Sequence, residues 1–68
     1  MEKRIGTTLI RVHNKQGVAK LNTILSKHAG LIIGRQGLPR TDGTNLISLV
    51  LEGSTDEIGS LTGQIGRL

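Results

Sequence analysis

The side chains best suited to chemistry in this chain fall in one run, His13-Asn14-Lys15-Gln16-Gly17-Val18. An imidazole, an amide, an ammonium and a second amide in succession can hydrogen-bond a polar ligand. The glycine that follows lets a ligand or another backbone come close. If a helix begins here, its unpaired amides and the positive end of its dipole suit a carboxylate or a similar anion. On that reading Asn14 bonds the ligand through its amide, and the backbone N–H groups of Gly17 and Val18 hold the anionic group. Lys15, Gln16 and His13 add secondary polar contacts. The alternative is a plain turn from a strand into a helix, with no ligand.

Little else in the sequence is chemically pointed. There is no cysteine, so disulfides and thiolate zinc sites are excluded. His28 falls in the apolar stripe of a helix, near its C-terminus, where packing and a bond to a terminal carbonyl suffice to explain it. Two histidines without clustered carboxylates or thiols make a poor metal set, and no cofactor is expected. Asp42, Asp56 and Glu57 fit turn and cap chemistry, and no nucleophile is paired with a base, so an enzyme is not expected. Ile33-Gly34-Arg35-Gln36-Gly37 imitates the Gly-x-x-Gly loop with which KH domains clamp a nucleic-acid backbone. That loop joins two helices, whereas this stretch reads as strand and is followed by Pro39 and Asp42-Gly43. Gly34 and Gly37 then mark a bulge or close packing.

The elements that must position these residues follow from periodicity. Arg4 to His13 reads as a first strand, with Thr8, Ile10 and Val12 on one face and Ile5, Thr7, Leu9 and Arg11 on the other. Asn14 to Gly17 is a polar turn. Val18, Leu21, Ile24, Leu25 and Ala29 recur at helical spacing, and Gly30 stands where a left-handed C-cap is expected. Leu31 to about Leu38 reads as a second strand stopped by Pro39, with turn chemistry in Thr41-Asp42-Gly43-Thr44. Leu46 to Leu51 is the third strand. Ser54-Thr55-Asp56-Glu57 reads as a capping box, and Ile58, Leu61, Ile65 and Leu68 give a second apolar stripe. Gly59, Gly63 and Gly66 lie roughly opposite that stripe. They make a smooth surface for close approach of another element, or merely a helix held by its apolar side.

The order is β-α-β-β-α, one strand short of the ferredoxin-like βαββαβ arrangement. The whole chain, residues 1–68, reads as one α+β domain. A domain of this length has a thin core, and with no Phe, Tyr or Trp it is built from aliphatic residues alone. In the third strand Ile47, Leu49 and Leu51 alternate with Leu46, Ser48 and Val50, so both faces are apolar. Helices cover one face of a two-layer domain. A homo-oligomer, dimer or tetramer, that buries Ile5, Leu9, Leu46 and Val50 is therefore expected. Net charge is +4, but the nine basic residues are scattered and no aromatic ring offers stacking, so nucleic acid is not expected as a direct partner. No apolar signal core or membrane-length run is present, which points to a cytoplasmic protein.

The residues also resemble a known family. Val12-His13-Asn14-Lys15-Gln16-Gly17-Val18-Ala19-Lys20-Leu21 is similar to the ACT-domain signature, a first strand ending in an Asp-x-Pro-Gly-Val-Leu turn. Asn14 stands where that family has Asp or Asn, Gln16 replaces the Pro, and Gly17 and Val18 match. Met1-Glu2-Lys3-Arg4, Gly37-Leu38-Pro39 and the stretch from Asp56 to Gly66 resemble short ACT-like proteins named as regulators of the iron-only hydrogenase system. The resemblance implies a ferredoxin-like (ACT-like) βαββα two-layer sandwich whose final strand, Gly-Val-x-Val in such proteins, is missing, so the chain is truncated or short. It also implies a regulatory role, transcriptional regulation included, and a small effector held at the Asn14–Gly17 turn between subunits. A nucleic-acid-binding domain and a ligand-free assembly domain stand as the alternatives.

Overall fold

The computed structural model of the chain describes residues 3–68. Three strands, β1 (Arg4–Val12), β2 (Ile32–Pro39) and β3 (Asn45–Gly53), form an antiparallel sheet in the order β1-β3-β2. Two helices, α1 (Lys15–Lys27) and α2 (Thr55–Gly66), complete an α+β, ferredoxin-like βαββα fold that lacks a final strand. β3 runs down the middle because it is the strand with apolar residues on both faces. It pairs with β1 from Arg4 opposite Gly53 to Val12 opposite Asn45, and with β2 from Ile32 opposite Leu51 to Pro39 opposite Asn45.

Alternation along β3 sorts its side chains. Ile47, Leu49 and Leu51 point into the core with Val12, Leu21, Leu25, Leu31 and Leu61, and Ile10, Val18, Ile24, Ile32, Ile58 and Ile65 pack around them. Every core member is aliphatic, as the composition demands. Leu46, Ser48, Val50 and Glu52 point the other way, beside Ile5, Thr7, Leu9 and Arg11 of β1. Gly34, Gln36 and Leu38 of β2 stand opposite Val50, Ser48 and Leu46 and so share that second face. A register shift between Ile32 and Gly34 leaves Ile33 outside the ladder and exposed, which is the bulge anticipated at the glycine.

Local chemistry sets the connections. The β2–β3 turn is closed by Asp42, whose Oδ1 accepts from the Thr44 backbone N–H at 3.0 Å and from its hydroxyl at 2.6 Å. Gly43 takes φ 88°, the left-handed conformation a glycine adopts without strain. The capping box forms as expected: Glu57 N–H donates to Ser54 Oγ at 3.1 Å, and Ser54 N–H donates to Glu57 Oε1 at 2.9 Å. These bonds hold the carboxyls of Asp42 and Glu57 below their ordinary values. The Thr44 hydroxyl is the larger cause for Asp42, and the Ser54 amide for Glu57.

Gly30 departs from expectation. It is not a left-handed cap but the middle of a 3-10 turn, Ala29–Leu31. His28 ends α1 with φ −117° and ψ 24°, its N–H bonding the Leu25 carbonyl, and Leu31 N–H bonds the His28 carbonyl. Tightening the last turn satisfies those carbonyls without a left-handed residue. It also delivers Leu31 into the core rather than into β2.

Candidate functional site

The polar run from His13 to Val18 straddles the end of β1 and the start of α1. Asn14 is extended, with φ −153° and ψ 169°, and its Oδ1 accepts from Gly17 N–H at 2.7 Å. That is the geometry of an N-cap, so α1 begins at Lys15 and the expected polar turn is the helix's own first turn. Val18 N–H bonds the Asn14 carbonyl at 3.2 Å. The amides of Gly17 and Val18 are thus already occupied. Lys15 and Gln16 hold the first-turn N–H groups that remain for a ligand. The glycine has its own structural reason: a Cβ on Gly17 would lie 2.8 Å from Val12 Cγ1 and 3.3 Å from Asn14 Oδ1. The close approach it permits is that of the core side chain Val12.

Six of the residues around this point line a cleft of about 230 Å³: Arg11, His13, Asn14, Gly17, Ile65 and Leu68, with Ile10 and Val12 as its floor. His13, Asn14 and Gly17 are brought together there, while Lys15 and Gln16 lie exposed alongside. Val18 faces a separate concavity beneath Leu38, Pro39 and Leu46. Arg11 adds a cation that the pattern of the first strand had assigned only to a sheet face. Ile65 and Leu68 come from the end of α2, which no local sequence signal could connect with His13. The cleft has positive and neutral polar walls over an aliphatic floor, suited to a small anion with an apolar part. Its volume falls below the ~300–1,000 Å³ of drug-sized pockets, so the ligand would be small.

A larger concavity, about 510 Å³, lies between the end of α1 and the start of α2. Lys27, His28, Leu31, Asp56, Glu57 and Ser60 line it, but the Glu57 carboxylate is taken by the Ser54 amide. The His28 side chain, half-buried, makes no hydrogen bond to the cap positions. Among the described residues no group of three or more His, Asp and Glu side chains is placed to hold a metal ion.

The Gly-x-x-Gly stretch lies wholly inside β2, not between helices. Arg35 stands opposite Leu49 on the helix-covered side and donates to Asn22 Oδ1 of α1 at 2.6 Å. It ties β2 to α1 instead of reaching outward to a phosphate. The second-helix glycines face open space: a Cβ on Gly59 or Gly66 would meet nothing within 4 Å, and one on Gly63 only the end of Arg67. The four residues expected to mediate assembly, Ile5, Leu9, Leu46 and Val50, do share one sheet face. Ile5 is 68% exposed and Leu9 65%, while Leu46 and Val50 are half-buried.

With this geometry in hand, comparison with known proteins is decisive for the family. Residues 4–68 match the model of the TM1266-like family, described as "Iron-only hydrogenase system regulator, putative". The chain belongs to the TM1266-like family. A solved structure, "The structure of uncharacterized protein TM1266 from Thermotoga maritima", is 31% identical and superposes with a TM-score of 0.90. The likeness covers 97% of this chain and 85% of that one. No curated protein matches. Among the described residues, no helix is long and apolar enough to cross a membrane.

Proposed function

We propose that this TM1266-like chain is a non-catalytic regulatory module of an iron-only hydrogenase system, working in the cytoplasm as a homo-oligomer. Its assembly surface is the sheet face opposite the helices, and its effector is a small anion or a partner protein engaged at the start of α1. The observation that carries this reading is the open face itself. Ile5, Leu9 and Leu38 expose large aliphatic surface there, next to Leu46 and Val50. A contiguous apolar patch of this kind on a small domain is the mark of a protein–protein contact. The core it would supplement is thin and holds no aromatic residue.

The effector site is the cleft of His13, Asn14 and Gly17, and the first-turn amides of Lys15 and Gln16 follow Asn14 at the start of α1. The family description supports the regulatory role, and the small cleft beside a helix start supports a small ligand. Sedimentation velocity at micromolar concentration tests the assembly, with a dimer or tetramer expected. Native mass spectrometry of the protein as purified tests the effector by its added mass. A folded monomer across the concentration range, with no added mass, would overturn the proposal.

A further inference from the structure

The open sheet face is self-complementary in one orientation, and the strand register identifies it. Four rows of side chains cross the face. Ile5 and Glu52 form the first, and Thr7, Val50 and Gly34 the second. Leu9, Ser48 and Gln36 form the third, and Arg11, Leu46 and Leu38 the fourth. Charge sits only at the two ends. Glu52 marks one end, with Lys3 and Arg4 close by, while Arg11 lies at the other with Arg40 and Asp42. The Arg11–Glu52 pair is the contrast that distinguishes the two ends of the rows.

Resting on the assembly reading above, we infer that two copies stack face to face with their strands antiparallel, pairing Arg11 of each chain with Glu52 of the other. A twofold axis in the sheet plane and perpendicular to the strands lays first row over fourth and second over third. Three stacks then set a larger side chain on a smaller one, and at the ends Glu52 lies over Leu46. Leu9 meets Thr7, Val50 meets Ser48, and Gln36 meets Gly34. Arg11 lies over Ile5, next to Glu52. Facing sheets stand about 10 Å apart, a gap an arginine and a glutamate span between them. The other aligned orientation, with the axis along the strands, sets Glu52 on Glu52 and Ser48 on Ser48 along the central strand. It places like charges together and leaves a void where two small side chains meet. A twofold contact uses the same patch on both partners, so one chain's rows suffice to choose between them. The roughly 30° crossing of aligned sheets shifts these stacks without exchanging the rows.

The patch measures roughly 25 Å by 14 Å from strand rise and spacing, a small interface, so association falls in a concentration range where charge is readable. The experiment is a charge exchange followed by sedimentation equilibrium of the full chain. Arg11→Glu alone opposes two carboxylates across each pair, and Glu52→Arg alone opposes two guanidinium groups. Each should weaken self-association at least tenfold at low salt. Mixing the two variants should restore association as a heterodimer, and the double variant should restore a homodimer. Because the chain has no cysteine, Thr41→Cys in the exposed β2–β3 turn carries a spin label without touching the Arg11–Glu52 pair. Antiparallel stacking puts the two turns at opposite ends of the dimer, with labels roughly 35 Å apart, against about 10 Å for the other orientation. Single variants that associate as tightly as the parent, or labels near 10 Å, overturn the antiparallel stack while leaving the assembly reading intact. A parent chain that is monomeric at every concentration overturns the assembly reading itself.

Discussion

Gly59 is the fifth residue of α2 (Thr55–Gly66), and a Cβ built there meets nothing within 4 Å. Glycine in a helix interior costs about 1 kcal/mol relative to alanine, through backbone entropy lost on folding. With open space at the site, Gly59→Ala recovers that amount without a clash. For a domain this size, about 1 kcal/mol raises Tm by roughly 4–8 °C. Gly53→Ala is the matched control, because its Cβ would lie 2.7 Å from Leu31 Cδ2 and 3.3 Å from Glu57 Oε1. Overpacking at such a site costs about 1–3 kcal/mol, so the same chemical change should lower Tm. Thermal unfolding followed by far-UV circular dichroism, with sedimentation run in parallel, reads both. A lower Tm for Gly59→Ala, or loss of oligomer, refutes the reasoning. It would mean that the glycine face of α2 is covered by another chain and that the added methyl is a steric intruder.

Leu9→Lys and Val50→Lys should each dissociate the oligomer while leaving the circular dichroism of the monomer intact, since both side chains stand on the open sheet face. Asn14→Ala should cost about 1 kcal/mol with no ligand present, through loss of the bond to Gly17 N–H; Asn14→Asp keeps that cap and should retain stability while repelling an anionic effector in a thermal-shift screen. Acid should destabilise the fold through Asp42 and Glu57. Their folded values are depressed, so their contribution is present above the ordinary values of 3.8 and 4.5 and is lost as pH falls through the lowered ones. A Tm-against-pH profile that is flatter in Glu57→Gln checks the Glu57 part, since the Ser54 amide that chiefly lowers this carboxyl survives any change of the Ser54 side chain.

Legibility in the sequence tracked how local the cause was. The alternation of β3 placed Ile47, Leu49 and Leu51 against the helices and Leu46 and Val50 on the opposite face, because a strand's period is short and every residue votes. The Ser54–Glu57 capping box was equally plain, being a two-residue reciprocal bond. Boundaries decided by competing local solutions were harder to see. Asn14 to Gly17 read as a polar turn, and the cap bond from Gly17 to Asn14 drew Lys15 and Gln16 into α1. Gly30 could have taken a left-handed cap, but the need to bury Leu31 favoured a 3-10 turn. The cleft was visible only in part. His13, Asn14 and Gly17 are neighbours in sequence, whereas Ile65 and Leu68 reach it through the packing of α2, which no window of the chain contains.

Gly17 shows how the fold and the candidate site share one element. A helix that starts directly after an edge strand must bring its first turn against the last inward side chain of that strand, here Val12. Any side chain at position 17 would push the turn away, lengthen the bond from Gly17 N–H to Asn14, and open the cleft floor formed by Val12. The glycine is therefore required by packing before any ligand is considered. What the ligand reading adds is confined to groups the fold leaves unused: the Lys15 and Gln16 amides and the side chain of His13. For that reason Gly17→Val cannot separate binding from folding, while Asn14→Asp can, since it preserves every bond the helix start needs and changes only the charge that a ligand would meet.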